Sequence, residues 1–241
     1  MMKFIIKIYS RLIVGMNLSK AKHMGVTYDF SLIPKRFQHK ILRNSYELDE
    51  IEILKKVLNK ISSKEISILE IGSSIGFVSL NVARIDKRVK IFGYELSEKN
   101  YLVAKSNLKC NPSLESNVEF YNIGVSSGGG EIEYVDAKDF WATKVLSKDD
   151  VIESVMKVKT ERLEYLINKH NPIVLQMDIE GLEYEVLCGT KNFGNVTHIV
   201  LEIHDVEQFR VRKNQLINHL YNHEYDINFQ HSCANVLLFT K

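Results

Sequence analysis

The sequence predicts an α/β fold in which a mostly parallel sheet has helices on both faces and an antiparallel C-terminal edge. Short β-branched apolar runs alternate with segments whose apolar residues recur every three or four positions, which indicates strands alternating with amphipathic helices. The last two strand-like runs are separated by a short polar stretch, which indicates a closing hairpin. With 241 residues, 45% of them hydrophobic, the chain can bury a substantial core.

The first half of the chain contains two strand–helix units and a third strand. An amphipathic helix is predicted over 47–61, and Asn44 with Glu47 three residues later is expected to cap it. The run ISILEIG is then a strand followed by a helical pattern. VKIFGYE is the second strand, Ser97 caps the helix after it, and VEFYNIGV is the third strand.

The second half begins with an insertion and then returns to the alternation. Between 124 and 159 the pattern weakens into a glycine-rich turn and short strand-like pieces. Order resumes with a helix in ERLEYLINKH, a buried strand PIVLQMD, a helix over 182–188 and the strand HIVLEIH. A last helix over about 207–223 precedes YDINFQ and ANVLLFT, the strands of the closing hairpin.

Charge and cysteine content exclude some classes of protein. Thirty-two Lys and Arg against thirty Asp and Glu give a formal charge of +2, which does not favour a nucleic-acid partner. Cys110, Cys188 and Cys233 lie far apart without a CxxC pair, so neither a zinc cluster nor a disulfide framework is predicted. We expect a protein of the reducing cytoplasm.

Residues 1–16 are apolar but carry cations at four-residue intervals, Lys3, Lys7 and Arg11. The charges leave no uninterrupted run long enough to span a bilayer and fall inside what would be the apolar part of a signal peptide. The spacing places them on one face of a helix. Two interpretations stay open: an extra helix packed on the domain with a solvated basic stripe, or a helix that contacts a membrane surface or a partner.

The turn after the first strand is the first candidate for a binding site. In an open α/β sheet, ligands bind beyond the carboxyl ends of the strands. In EIGSSIG, Gly72 and Gly76 let the backbone turn sharply and approach a ligand, and the amides of the following helix suit an anionic group. The G-x-x-x-G spacing differs from the dinucleotide fingerprint and from the P-loop, so a purely structural tight turn is the alternative.

Glu95 makes a nucleoside ligand the better interpretation of that turn. It ends the next strand, nineteen residues after Gly76, where its carboxylate can accept both hydroxyls of a ribose. NAD would require the dinucleotide spacing and a phosphate-binding loop. S-adenosylmethionine has no phosphate, and its charged amino acid end fits an acid beside backbone amides.

From about Tyr46 to Lys241 the chain resembles class I S-adenosylmethionine-dependent methyltransferases, and among them the FkbM-type group. The matching segments are ILEIGSSIGFVSL, FGYELSEKNYLVAKSNLKCN, VKTERLEYLI, VLQMDIEGLEYEVLCG and VLEIH, of which DIEGLEYEVLCG is the most specific. The resemblance implies a Rossmann-like class I methyltransferase sandwich with a mostly parallel seven-stranded sheet. It also implies a methyltransferase domain over 46–241, preceded by an N-terminal helical extension over 1–45.

The implied activity is O-methylation of a sugar, glycan or natural-product hydroxyl in the cytoplasm, with S-adenosylmethionine as cofactor and no nucleic-acid partner. The residues expected to bind the cofactor are Glu70, Gly72, Ser73, Ser74, Ile75, Gly76, Glu95, Leu96, Asn122, Ile123, Gly124 and Asp178. The chain departs from the group's usual residues at Ser73, Ser74, Leu96 and Gln176, where Ala, Asn, Pro and Lys are more usual. A non-catalytic binding or scaffolding protein on the same fold is the alternative, and an NAD-linked oxidoreductase is the third reading.

An alcohol acceptor must lose a proton, and three side chains are catalytic candidates. Asp178 and His204 follow the fourth and fifth parallel strands, and an imidazole has the better intrinsic pKa for a base near neutral pH. The alternative is a structural His204 with an Asp178 that only orients ligands. Glu180 points to the same side as Asp178 by strand alternation.

A metal site and an aromatic pair are two further possibilities that the sequence raises. Asp178, Glu180 and His204 have ligand types that suit a hard metal ion, but no short-spaced motif supports one, so no metal is expected. Phe140 and Trp141 of the insertion are candidates for lining the acceptor pocket, with ordinary packing as the alternative.

Overall fold

The structure is a computed structural model that describes residues 2–43, 45–136, 143–145, 155–179, 181–204, 209–233 and 235–241. Its helices are α1 Met2–Gly15, α2 Lys35–Leu42, α3 Leu48–Lys60, α4 Phe77–Ile85, α5 Glu98–Lys109, α6 Leu163–His170, α7 Glu183–Cys188 and α8 Phe209–Asn222. Its strands are β1 Lys20–His23, β2 Val26–Asp29, β3 Ile66–Ile71, β4 Val89–Tyr94, β5 Val118–Tyr121, β6 Gly124–Val125, β7 Gly130–Asp136, β8 Thr143–Val145, β9 Met156–Glu161, β10 Val174–Met177, β11 His198–Glu202, β12 Asp226–Ile227 and β13 Val236–Thr240.

The central sheet has seven strands in the order β12-β13-β11-β10-β3-β4-β5. Strands β3, β4, β5, β10 and β11 are parallel, whereas β13 is antiparallel to both β11 and β12. The mostly parallel sheet and its antiparallel edge are therefore confirmed. Because the chain builds outward from β3 to β5 and then returns to place β10 on the other side of β3, strand order reverses between β3 and β10.

Side chains of the sheet alternate between two hydrophobic clusters, one on each face. In β3, Ile66 and Ile68 join the cluster that includes α3 and α4, while Leu69 and Ile71 join the cluster that includes α6 and α8. Helices thus cover both faces, as the apolar runs of the strands predict.

The predicted third strand, VEFYNIGV, is broken into two. Only Val118–Tyr121 belongs to the central sheet, and Gly124–Val125 enters a separate four-stranded sheet of order β6-β9-β7-β8. Between them, the Asn122 side-chain amide donates to the carbonyls of Glu95 and Leu96, which holds the chain where the ladder ends. The predicted insertion therefore supplies a second sheet, while Phe140 and Trp141 lie outside the described residues.

The caps predicted for two helices have different outcomes. Ser97 caps α5, because its hydroxyl accepts from the backbone amide of Asn100. The capping box before α3 was wrong: Glu47 itself is the N-cap residue, in a left-handed conformation with φ 45° and no side-chain cap bond. Tyr46 packs edge-on against Phe77, and this tertiary contact sets the entry into α3.

The N-terminal segment is a helix followed by a hairpin and a second helix. The helix in residues 1–16 is found as α1, but the hairpin β1–β2 was not expected. Its turn residues, Met24 and Gly25, both have positive φ, 50° and 83°, and the sequence lacks the Asn-Gly or Asp-Gly signal of such turns. Among the described residues, no helix is both long and apolar enough to cross a membrane.

Candidate active site

A cavity of about 820 Å³ opens at the carboxyl ends of the parallel strands. Residues that follow β3, β4, β10 and β11 line it, and so do residues 45–50 from the start of α3. It therefore lies where strand order reverses, the position predicted for a ligand in such a sheet. Its volume is within the usual range of small-molecule sites.

The turn after β3 has a shape that only glycine permits at its first position. Gly72 has φ 87°, and a Cβ there would lie 1.7 Å from the Asp178 carbonyl oxygen. The amides of Gly72 and Ser73 both donate to the Tyr94 carbonyl, at 2.8 and 3.0 Å. These two amides thus fix the loop against β4.

Glu95 joins this loop to the next strand end. Its side chain is 6% exposed; Oε2 accepts from the Ser74 amide at 2.7 Å and Oε1 from the Ser97 amide at 2.8 Å. Each carboxylate oxygen has a second lone pair, so the group can still accept hydroxyl hydrogen bonds. The structure brings Glu95 and the glycine loop to one wall of the cavity.

The residues predicted to bind the cofactor fall into two groups. Those that line the cavity are Gly72, Ser74, Glu95, Leu96, Ile123, Gly124 and Asp178. Those that lie behind its wall are Glu70, Ser73, Ile75, Gly76 and Asn122. The first group can contact a ligand directly, and the second shapes the loops that do.

Hydrogen bonds explain how the second group supports the loop. Glu70 is buried and accepts from the Ser79 hydroxyl of α4, and burial raises the pKa of Glu70 well above its usual value. The Ile75 carbonyl accepts from the Asn107 side chain at 2.9 Å. A Cβ on Gly76 would approach the Phe120 ring to 2.6 Å.

At the other end of the cavity, His204 is held by a buried carboxylate. Its Nδ1–H donates to Oε1 of Glu183 at 2.9 Å, and Glu183 has no exposed surface. The same oxygen accepts from the amides of Ile179 and Gly181 at 3.3 and 3.0 Å, so the carboxylate itself is fixed. The ring is thereby oriented with Nε2 toward two other acids.

Those acids are Asp178 and Glu202. Nε2 of His204 lies 3.5 Å from Asp178 Oδ1 and 4.0 Å from Glu202 Oε1. Glu50 of α3 completes the acidic wall, and burial together with Glu202 raises its pKa to about 7. The predicted candidates Asp178 and His204 are thus neighbours in the cavity, while Glu180 lies outside the described residues.

Sequence reasoning missed Glu183 and Tyr46. Glu183 is the first residue of α7 and accepts hydrogen bonds from the amides of Ile179 and Gly181, in the loop before the helix. An acid in the first turn of a predicted helix is the sequence signal that could have found it. The Tyr46 hydroxyl forms a hydrogen bond with the Ser74 hydroxyl at 3.0 Å on the cavity wall. No local sequence motif predicts Tyr46, because only tertiary packing brings it to the site.

The acids and the imidazole also include atom sets with metal-ligand spacing. Ligand atoms of Asp178, Glu183 and His204 lie within 4.8 Å of one another, and so do those of Glu50, Asp178 and Glu202. The first set has Glu183 where the sequence suggested Glu180, and the second set shares only Asp178 with the group considered from the sequence. The expected absence of a metal stays a prediction.

The fold and the cavity are typical of α/β proteins that bind a nucleoside-containing cofactor. Such proteins have a glycine loop after the first parallel strand and an acid after the second. A sequence profile for the Methyltransferase FkbM domain matches residues 70–230. The chain belongs to this FkbM methyltransferase family. It is an S-adenosylmethionine-dependent methyltransferase.

Solved methyltransferase structures are similar to the chain at low identity. They include a precorrin-6y C5,15-methyltransferase from Geobacter metallireducens GS-15, with 14% identity, a TM-score of 0.46, and coverage of 80% of this chain and 85% of that one. An SAM-dependent methyltransferase from Agrobacterium tumefaciens has 9% identity and a TM-score of 0.49, covering 81% and 61%. TYW2 of M. jannaschii in complex with AdoMet has 14% identity and a TM-score of 0.43, covering 91% and 82%. A search of curated protein sequences gave no match.

The residues present fit S-adenosylmethionine. Glu95 offers a carboxylate for ribose hydroxyls, and the turn at Gly72 leaves no Cβ between the loop and the strand end opposite. The cavity continues from there to His204. Glu95 follows β4 and His204 follows β11, and these strands are three positions apart in the sheet. The two ends of the cavity are therefore separated by about 14 Å.

Proposed function

We propose that the protein transfers a methyl group from S-adenosylmethionine to a hydroxyl of a sugar, glycan or natural-product acceptor in the cytoplasm. One observation carries the proposal: a single cavity is lined by the Glu95 loop and, at its other end, by His204, which the buried Glu183 holds from behind the wall. A nucleoside-binding wall alone would suit a binding protein. A held imidazole beside it provides a base for an alcohol.

The cofactor supplies an electrophilic methyl group on a sulfonium, which is an excellent leaving group. The protein therefore contributes mainly position and proton removal. Glu95, through the Ser74 and Ser97 amides, fixes the two loops that define the nucleoside end of the cavity.

His204 is the base that we assign to the acceptor hydroxyl. Because Nδ1 donates to Glu183, the lone pair of a neutral ring is on Nε2, the nitrogen that faces the cavity acids. Taking a proton makes the ring cationic, and the Glu183, Asp178 and Glu202 carboxylates then stabilise that charge. To Asp178, which also lines the cavity, we assign the role of orienting the acceptor through a hydrogen bond.

The acceptor is proposed to be a neutral, hydroxyl-rich molecule. Glu50, Asp178 and Glu202 line this end of the cavity together with Asn235, whose amide donates to Glu202. Carboxylates accept hydrogen bonds from sugar hydroxyls but repel an anionic acceptor. The cavity walls thus favour a glycan or polyol over a phosphorylated substrate.

Two measurements test the proposal. Calorimetry should show S-adenosylmethionine binding that Glu95→Gln weakens by roughly tenfold or more, since hydrogen bonds to a charged acceptor contribute about 1.5–3 kcal/mol. Glu98→Gln, an exposed acid three residues away, is the matched control. Absence of binding by the parent protein would overturn the proposal.

The second measurement is turnover. The protein is incubated with labelled S-adenosylmethionine and fractions of a glycan and metabolite extract. We expect label to enter a neutral carbohydrate or polyol fraction, and to do so equally well when the protein has first been treated with EDTA. Binding without label in any fraction would favour the non-catalytic alternative. Loss of methyl transfer after EDTA treatment would contradict the prediction that no metal is needed, and would make the acid and imidazole cluster the first candidate for its site.

A further inference from the structure

The charge of the chain is divided unequally between its two ends. Residues 1–43 contain nine Lys and Arg and a single acid, Asp29, which is a formal charge of +8. Since the whole chain carries +2, residues 44–241 carry −6. The near-neutral total therefore conceals a basic N-terminal segment, which attracts anionic surfaces.

The same segment exposes apolar side chains on one side of α1 and in the residue that follows it, Met16. Ile8, Leu12 and Met16 follow one another at four-residue spacing and are 42%, 62% and 66% exposed. Tyr9 lies beside them and is 46% exposed. Of the twelve large hydrophobic side chains exposed in the described part of the chain, six lie between residues 8 and 32.

The helix is fixed so that this apolar face points outward. Its opposite side is buried, with Ser10 fully covered and Val14 4% exposed. The Arg43 guanidinium donates to the Ser10 hydroxyl at 2.9 Å, which links α1 to the end of α2. Lys7 and Arg11 are exposed next to the apolar face. The apolar face is therefore bordered by cations along one side.

We propose that α1 docks on an anionic lipid bilayer, with Ile8, Leu12 and Met16 inserted at the headgroup boundary and Lys7 and Arg11 among the headgroups. This combination of an apolar face and flanking cations is the pattern of interfacial helices. A nucleic acid would satisfy the cations but would leave the apolar side chains without a partner. Because α1 packs on α2, and α2 contributes Lys40 to the cavity lining, the docked protein carries its cavity close to the lipid surface.

Sedimentation with vesicles tests the proposal. The full chain should bind vesicles of phosphatidylcholine with phosphatidylglycerol at least about tenfold more tightly than vesicles of phosphatidylcholine alone, and high salt should weaken that binding. Lys7→Glu/Arg11→Glu should reduce binding by at least about tenfold, whereas Lys64→Glu/Lys87→Glu, with the same change in net charge, should not.

The apolar part of the proposal has its own variant pair. Ile8→Ser/Leu12→Ser/Met16→Ser should lose most vesicle binding, while Tyr221→Ser/Phe229→Ser, also at exposed positions, should bind as the parent does. Unchanged calorimetric binding of S-adenosylmethionine shows that each variant is folded. Equal binding of the parent to both vesicle types would overturn the proposal, and so would a serine variant that binds vesicles like its control.

Discussion

At the scale of single residues, the pair of His204 and Glu183 decides what the cavity can do. The imidazole alone is an ordinary strand-end side chain, but the buried carboxylate selects its tautomer and its direction. Glu183 does not line the cavity, so it is a positioning residue. Glu183 contributes to the reaction by orienting His204 and by stabilising its positive charge.

We therefore expect His204→Ala to lower kcat by about 10²–10⁴-fold, the usual contribution of a general base. Glu183→Gln should lower kcat by a smaller factor and leave S-adenosylmethionine affinity unchanged in calorimetry. Glu185→Gln, an exposed acid on the same helix, is the control. A Glu183→Gln variant with the parent's kcat would contradict the positioning role.

Glu50 gives a prediction about pH. Its pKa of about 7 in the folded protein lies above the usual 4.5, because burial and Glu202 disfavour its charge. A raised carboxyl pKa contributes stability that is fully present below the unfolded pKa of about 4.5 and is lost as pH rises through about 7.

Glu50→Gln removes this loss. The variant should gain stability relative to the parent between about pH 5 and pH 8, by up to roughly 2–3 kcal/mol in the free energy of unfolding. Urea denaturation at several pH values measures the difference, with the exposed Glu52→Gln as control. If the free energies of unfolding of Glu50→Gln and the parent changed with pH in the same way, the raised pKa of Glu50 would be refuted.

The residues that sequence reasoning found and missed at the site differ in how the chain brings them there. Glu95, Asp178 and His204 follow parallel strands, so strand-end logic reaches them. Tyr46 and Glu50 reach the cavity because the start of α3 and the residues before it pack over it. No local sequence pattern predicts that packing. Glu180 was predicted from the alternation of side chains along a strand, but β10 ends at Met177. The same pattern says nothing about Glu183, which lies on the next helix.

At the scale of elements, the turn between β3 and α4 is the most constrained piece of the fold. Gly72→Ala would place a Cβ at 1.7 Å from the Asp178 carbonyl, in a backbone region that alanine disfavours. The loop must shift, so we expect S-adenosylmethionine affinity to fall by at least about tenfold and the thermal midpoint to drop.

Gly128→Ala is the matched control. A Cβ there meets no described atom within 4 Å, and its φ is not positive. Calorimetry and thermal unfolding of both variants separate a local steric effect from a general effect of losing a glycine. Equal affinities for the two variants would show that the turn tolerates displacement.

Hydrophobic periodicity predicted most elements because their packing follows their pattern. The parallel strands are short β-branched runs, and the central sheet with its antiparallel edge followed from them. The hairpin β1–β2 was missed because each strand has four residues and the turn uses Met24-Gly25. The break after Tyr121 was missed because a side-chain amide, that of Asn122, ends the ladder.

At the scale of the whole molecule, the N-terminal segment and the sheet share one core. Seven large side chains of the segment are at most 3% exposed in the cluster that includes β3 and α4, namely Val26, Tyr28, Phe30, Ile33, Phe37, Ile41 and Leu42. Full burial of one such side chain contributes about 1.5–3 kcal/mol, and removal of the segment would expose the core surface that all seven cover. The net stability of a typical domain is only about 5–15 kcal/mol, so the fold is sensitive to the loss of several such contributions.

We therefore propose that residues 46–241 do not form an independent unit, although the sequence suggested a boundary at residue 45. Deletion of residues 1–45 should abolish cooperative thermal unfolding. Deletion of residues 1–16 removes only α1 and should leave S-adenosylmethionine binding in place. A cooperative transition in the longer deletion, followed by circular dichroism, would restore the boundary at residue 45.

The pairing of β6 with β9 has a consequence for how this protein can diversify. Gly124–Val125 and Thr160–Glu161 lie side by side, so the chain leaves the main fold and re-enters it at adjacent points. The cost of closing the segment between them depends only weakly on its length. We therefore expect that the segment between these two strands can differ in length while the central sheet keeps its strand order.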